Sequence, residues 1–156
     1  MAATPKKHRW TGYFGGLSFK MEEPHENQNQ GDGKVVRVAV VDDDPGIVKV
    51  IGVILRTNGF EVIDALNGSK AVTLVKEEKP DVVLLDIMMP DIDGFEVCRQ
   101  LKADSSTRDI PVIFVSAKTG LEHVEKGEEL GAAGYIIKPF APAVLIAKIK
   151  EVTDSQ

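Results

Sequence analysis

Hydrophobic and polar positions fall into two regimes along the chain. From Val35 onward, short apolar runs alternate with stretches whose apolar residues recur every three or four positions. Val35–Val41 predicts a strand. Over Pro45–Asn58, residues Ile47, Val48, Ile51, Ile54 and Leu55 share one helical face, and Gly59 suits the helix end. Phe60–Ile63 predicts a second strand. Ser69–Glu78, with Ala71, Val72, Leu74 and Val75, predicts a helix stopped by Pro80. Within Asp81–Asp86, the unbroken run Val82-Val83-Leu84-Leu85 predicts a strand buried on both faces. Phe95–Ala103 predicts a third helix, with Asp93 as its N-cap. Ile110–Ser116, Leu121–Leu130 and Tyr135–Ile137 predict the fourth strand, fourth helix and fifth strand. Pro142 opens a last helix running to Val152, proline being suited to the first helical position.

Five strand–helix repeats imply an α/β domain: a parallel sheet with helices on both faces, joined by right-handed crossovers. Before Lys34 the pattern changes. Residues 1–34 are rich in Gly, Asn, Gln and charge, with no sustained period of 2 or 3.6, and HENQNQGDG reads as a linker. Lys6, Lys7, Arg9, Trp10, Tyr13, Phe14 and Phe19 form an aromatic and basic cluster there. A disordered tail and a docking segment that orders on a partner or on the domain's own surface are both open readings. The expected division is thus a flexible N-terminal extension and linker over 1–34 and one domain over 35–153.

Composition narrows the function classes. Hydrophobic content of 43% and charged content of 28% fit a soluble globular domain. The net charge of −5 argues against direct nucleic-acid binding by the surface. A single cysteine, Cys98, excludes an internal disulfide framework and a multi-thiolate metal site. No apolar run reaches membrane-spanning length, and the basic patch at 6–9 is not followed by an apolar segment. Neither a membrane span nor a signal peptide is therefore expected, and a cytoplasmic location is.

In open α/β sheets, ligands sit beyond the carboxyl ends of the strands, so the residues just after each strand carry the chemistry. Strand one ends in Asp42-Asp43-Asp44, strand three in Asp86, strand four in Ser116, and strand five is followed by Lys138-Pro139. Crowded carboxylates repel one another, and a cation relieves that repulsion. An all-oxygen donor set selects a hard ion, and Mg²⁺ is the expected one. A carboxylate beside such an ion can act as a nucleophile toward phosphorus, with Lys138 and the Ser116 hydroxyl on other phosphoryl oxygens. Asp86, alone at the end of the most apolar strand, is the best nucleophile candidate. Asp44 precedes Pro45 and reads equally as a helix cap.

The segments VVDDDP at 40–45, LLDIMMPDIDGFEVCRQLK at 84–102, VIFVSAK at 112–118 and GYIIKPF at 134–140 strongly resemble the receiver domain of bacterial two-component response regulators. The intervals agree as well: 43 residues from Asp43 to Asp86, 30 from Asp86 to Ser116 and 52 from Asp86 to Lys138. The resemblance implies a flavodoxin-like fold with strand order 2-1-3-4-5. The chemotaxis member of the family is itself a standard example of that order. It implies that Asp86 is the phospho-acceptor. Asp43 would bind Mg²⁺ directly, Asp42 chiefly through water, and the Met88 backbone carbonyl would add a further ligand. Ser116 and Lys138 would contact the phosphoryl group, and the bond before Pro139 would be cis. Ser116 and Tyr135 would form the switch that remodels the face of the fourth helix, fifth strand and fifth helix. A histidine kinase or histidine phosphotransfer protein would supply the phosphoryl group, and an effector protein or a second copy of the chain would read the altered face.

Departures from the family pattern are few. Ala141 replaces a capping residue before the last helix, and Ala133-Gly134 replaces a commoner acidic pair. Met88, two residues past the acceptor, has no side-chain amide to position an attacking water, so slow self-dephosphorylation is expected. A pseudo-receiver that binds proteins without phosphorylation is the alternative. The acceptor, both acids and the lysine are all present, which disfavours it. A phosphatase of another α/β family is disfavoured because Met88 stands where a second acid is needed. A flavodoxin is disfavoured because no Ser/Thr/Gly-rich phosphate loop follows strand one.

Overall fold

Val82-Val83-Leu84-Leu85 lies at the middle of a sheet because all four side chains are apolar and both sheet faces are covered there. In this computed structural model, which describes residues 10–14, 17–21 and 33–155, the chain divides into two units, Met1–Lys34 and Val35–Gln156.

In the first unit, β1 (Trp10–Phe14) pairs antiparallel with β2 (Leu17–Met21), Trp10 opposite Met21 and Phe14 opposite Leu17. This differs from the sequence reading, which found no strand period there. The two runs are five residues each, and Gly12 interrupts the first, so neither reaches the length at which alternation stands out. The overlooked signal is Gly15-Gly16 between them, a composition typical of two-residue hairpin loops. Lys6, Lys7 and Arg9, and all but the last glycine of the linker stretch, lie outside the described residues.

The second unit runs β3 (Arg37–Val41), α1 (Pro45–Thr57), β4 (Glu61–Ala65), α2 (Gly68–Glu78), β5 (Val82–Leu85) and α3 (Gly94–Ala103). It continues with β6 (Val112–Ser116), α4 (Leu121–Glu129), β7 (Gly134–Ile137) and α5 (Pro142–Asp154). The five strands are parallel in the order β4-β3-β5-β6-β7, which is order 2-1-3-4-5 within the unit. Period-2 alternation splits the core in two. Val38, Val40, Val82, Leu84, Ile113 and Val115 pack with Ile51, Leu55, Leu145 and Ile149 from α1 and α5. Ala39, Val41, Val83, Leu85, Val112 and Phe114 pack with Ala71, Val75, Val97 and Leu101 from α2 and α3. The central strands therefore read as unbroken apolar runs, since each face has its own helix layer.

Element ends follow local chemistry. Asn58 caps α1, and Gly59 takes the left-handed conformation at φ +85° that a residue with a Cβ adopts with strain. The Asp93 carboxylate accepts from Glu96 N at 2.9 Å and starts α3. Ala141 precedes α5 without any side-chain cap bond, as its lack of a polar side chain dictates. Ala141→Ser is expected to raise stability by about 0.5–1 kcal/mol, read as an increase in the urea midpoint at unchanged m-value. An unchanged midpoint would show that the helix start gains nothing from a cap. Among the described residues, no helix is long and apolar enough to cross a membrane.

Candidate functional site

The site grows from the ladder between the two central strands. Val41 pairs with Leu85, and the next amide along, Asp86 N–H, donates to the Val41 carbonyl at 2.9 Å. On the other side, Asp42 N–H donates to the Ala65 carbonyl at 3.3 Å. Asp42 and Asp86 thus continue the strands directly. β3 lies between β4 and β5, so the loops leaving β3 and β5 part in opposite directions and leave a crevice at the carboxyl edge. Carboxylate oxygens of Asp42, Asp43 and Asp86 lie within 4.8 Å of one another in that crevice. Asp42 and Asp86 are buried, while Asp43 is exposed.

Each acid is held differently. Asp42 Oδ1 accepts from Asp44 N at 2.9 Å, and its Oδ2 pairs with Lys138 Nζ at 2.5 Å. Asp86 Oδ1 accepts from Ile87 N at 2.8 Å, and the Met88 amide lies close enough to favour the charged carboxylate. Lys138 Nζ lies farther from Asp86, at 3.7 Å. Burial, and then the neighbouring Asp42 charge, raise the Asp86 pKa from its ordinary value; Lys138 and the two amides oppose the rise. One cation thus serves two buried acids and leaves the Asp86 charge incompletely compensated.

Asp44 stands apart from this cluster. Its Oδ1 accepts from Gly46 N at 2.8 Å and Ile47 N at 3.4 Å, so it caps α1. The three-carboxylate run of the sequence therefore contributes two acids to the crevice and one to the helix.

The far wall carries the hydroxyls. Ser116 is fully buried at the end of β6, and its Oγ accepts from Lys118 N at 3.3 Å. The Tyr135 hydroxyl donates to the Lys118 carbonyl at 2.8 Å, with Ser116 beside it. Burial raises the Tyr135 pKa above its ordinary value, with the Ser116 contact opposing the rise. Ser116 and Tyr135 are thus already linked through the loop that begins α4, a link that their separation in sequence did not reveal. Lys138 N donates to the Ser116 carbonyl at 2.9 Å, and the Lys138–Pro139 bond is cis.

Met88 is 60% exposed beside the crevice. Beneath the loop, Gly94 N donates to the Ile87 carbonyl at 2.8 Å. Sequence reasoning overlooked Asp91, whose Oδ1 and Oδ2 accept from Gly68 N at 3.0 Å and Ser69 N at 2.8 Å. The contact spans more than twenty residues, so no local pattern announces it.

The acidic crevice suits a hard divalent ion. Its three donors are carboxylates, and burial leaves Asp86 in need of positive charge.

A doubly wound α/β domain with buried acids, a lysine and a hydroxyl at its switch point defines a narrow class. Residues 38–150 match the family described as response regulator receiver domain, and the chain belongs to that family. It is 43% identical over 114 residues to the DNA-binding response regulator MtrA of Mycolicibacterium smegmatis, covering 73% of this chain and 49% of that protein. It is 41% identical over 115 residues to the phosphate regulon regulator PhoB of Pseudomonas aeruginosa, covering 74% of this chain and 50% of PhoB. The chain thus spans about half the length of these relatives. A CheY-like receiver domain protein from Methanospirillum hungatei superposes with a TM-score of 0.73 at 32% identity. That match covers 78% of this chain and 96% of the other.

Proposed function

We propose that the chain is a phosphorylation-controlled switch in a two-component pathway, with Asp86 as the phospho-acceptor. The observation that carries this reading is the convergence of Asp42, Asp43 and Asp86 on one crevice with Lys138 beside them. Asp42, Asp43, Asp86 and the Met88 backbone carbonyl would hold Mg²⁺, which when bound supplies positive charge to the acids and to a phosphoryl oxygen.

The chain's own residues do the rest. An Asp86 carboxylate oxygen attacks phosphorus in line, the bond from phosphorus to the donor breaks, and the donor leaves with its electron pair. The donor is a phosphohistidine of a kinase or phosphotransfer protein. Lys138 faces a developing phosphoryl oxygen, releasing Asp42 in part. The Ser116 hydroxyl would turn to another, loosening its bond to the Lys118 amide and its contact with Tyr135. Tyr135 and the start of α4 would then repack, a local charge event read out by a bistable packing element. Lys118 is the hinge of that coupling, since its amide and carbonyl bond to Ser116 and Tyr135 respectively.

The readout face is α4, β7 and α5. A groove of about 290 Å³ there is lined by Val124, Gly127, Ala133, Gly134, Tyr135 and Lys148, among others. An effector protein, or a second copy of the chain, is the occupant that this reading assigns to the face. The protein would act in the cytoplasm. Binding to DNA, named for the MtrA relative, is not assigned to this chain.

Incubation with acetyl phosphate, with Mg²⁺ or with EDTA, tests the reading by intact mass and amide spectra. A Mg²⁺-dependent gain of one phosphoryl group, absent in Asp86→Ala, is expected. No response to acetyl phosphate or to a beryllofluoride mimic favours a pseudo-receiver binding module, and steady turnover of diverse phosphate esters favours a phosphatase. A further expectation concerns lifetime. Met88 presents a thioether where a side-chain amide could orient water, so Met88→Asn should shorten the phosphorylated half-life by about tenfold. A wild-type half-life of seconds, unchanged by the substitution, would refute that role for Met88.

A further inference from the structure

The loop Ile87–Asp93 carries everything that orients the acceptor from below. The Ile87 amide donates to the Asp86 carboxylate, and the Met88 amide lies close enough to favour its charged form. The Met88 carbonyl is the proposed fourth metal ligand. Such a loop holds a ligand to a fraction of an ångström only if its own position is fixed.

Three attachments fix it. Gly94 N bonds the Ile87 carbonyl at the end nearest the strand. Met89 and Ile92 pack against the core on the α2 and α3 side. Asp91, between those two anchors, reaches across to α2 and accepts from the Gly68 and Ser69 amides. The Ser69 amide above all holds the Asp91 carboxyl well below the ordinary carboxylate value, so both oxygens are charged acceptors at neutral pH.

Helix α2 does not need Asp91 for all of its capping. Asn67 accepts from Lys70 N at 2.8 Å, serving the third amide of the helix, while Asp91 serves the first two. The two caps therefore divide one helix end, but only one of them belongs to the acceptor loop. Close approach at Gly68 reinforces the junction: a Cβ there would lie 2.7 Å from the Ile92 carbonyl oxygen and 2.9 Å from Val97 Cγ2. The first residue of α2 is pressed against the loop residue that follows Asp91.

We propose that Asp91 is a positioning residue for the cation site, clamping the acceptor loop to the N-terminus of α2 so that the Met88 carbonyl and the Asp86 carboxylate are pre-aimed at Mg²⁺. It touches neither the ion nor the phosphoryl group. The inference rests on the reading of the crevice as a Mg²⁺-dependent acceptor site.

The test is a MgCl2 titration of the full chain, followed by amide spectra, on wild type, Asp91→Ala, Asp91→Asn and Asn67→Ala. Thermal melting of each in EDTA runs alongside. Asn67→Ala removes the other cap of the same helix and leaves the loop untouched. Both alanine variants are expected to melt below wild type. Only Asp91→Ala should weaken Mg²⁺ binding, by about tenfold. Asp91→Asn, which keeps one carbonyl acceptor, should lie between, with a weakening of about threefold. Wild-type Mg²⁺ affinity in Asp91→Ala, or an equal loss in Asn67→Ala, overturns the proposal and leaves Asp91 a helix cap alone. Should Asp91→Ala not fold, Asp91→Asn decides in the same way. Absence of Mg²⁺ binding by wild type removes the acceptor reading itself, and the positioning role with it, whereas a deficit confined to the Asp91 variants supports both.

Discussion

Asp86→Asn is expected to abolish phosphoryl uptake from acetyl phosphate, a loss of at least about a thousandfold in rate, while raising the thermal midpoint of the metal-free protein. The first effect follows from chemistry. A neutral amide is a poor nucleophile toward phosphorus, and none of the remaining acids lies at the same strand end. The second follows from electrostatics. Burial and Asp42 raise the Asp86 pKa, so folding disfavours the charged carboxylate. Its unfavourable contribution is complete above the folded-state pKa and fades as the pH falls through that value, where the group is protonated. Asparagine removes the charge at every pH. The gain at neutral pH should be about 3–5 °C and should shrink on acidification. Intact mass spectrometry reads the first effect and melting curves in EDTA at several pH values read the second. A midpoint below wild type at neutral pH would contradict the claim that the acids repel.

Gly94→Ala is expected to be the most damaging single-methyl change in the domain. Gly94 begins α3, is buried and lies against the backbone of Asp86 and Ile87. A Cβ placed on it would fall well inside van der Waals contact with the Asp86 carbonyl oxygen and lie 2.8 Å from the Ile87 Cα. Both are backbone atoms at the point where the chain leaves β5, so no side-chain rotation relieves the overlap. Either α3 moves away from β5 or the loop after Asp86 is displaced. The cost should be about 3 kcal/mol or more, read as a lower urea midpoint. Phosphoryl uptake should also slow under conditions where the variant is still folded, because the displaced backbone is that of Asp86 itself. Normal stability with normal uptake would mean that the helix approaches the strand less closely than described.

The strands and helices of the second unit were legible because its central strands are buried on both faces. Val82-Val83-Leu84-Leu85 has no polar residue to confuse with a helix, and Pro80 and Asp86 bound it. Element ends were less legible. Val35 and Val36 continue the apolar pattern of β3, yet pairing starts at Arg37, whose amide is tied to Asp81 and whose guanidinium pairs with Glu61 and Glu78. Ile110 and Pro111 likewise read as strand but precede β6, because Ile110 N bonds back to the Thr107 carbonyl in a turn. The pairing of β1 with β2 was missed because both runs are short and the first is broken by glycine.

The candidate site shows the same division. Strand-end residues announce themselves in sequence: Asp42, Asp43, Asp86, Ser116 and Lys138 each follow an apolar run. Their partners do not. Nothing in the order of residues says that Lys138 lies nearer Asp42 than Asp86, or that Tyr135 donates to the Lys118 carbonyl. Nor does it say that Asp91 spans the gap to α2. These are tertiary choices, made by how far each loop reaches once the sheet has formed.

Everything proposed depends on acids from separate strands sharing a cation at the sheet edge. The most direct measurement is a titration of the isotopically labelled protein with MgCl2, reading backbone amide shifts. Saturable movement concentrated at Asp42, Asp43 and Asp86–Met88, lost when Asp43 is replaced by Asn, is the predicted result. Amides there that stay fixed through millimolar Mg²⁺, in a protein whose spectrum is otherwise that of a folded domain, would contradict it.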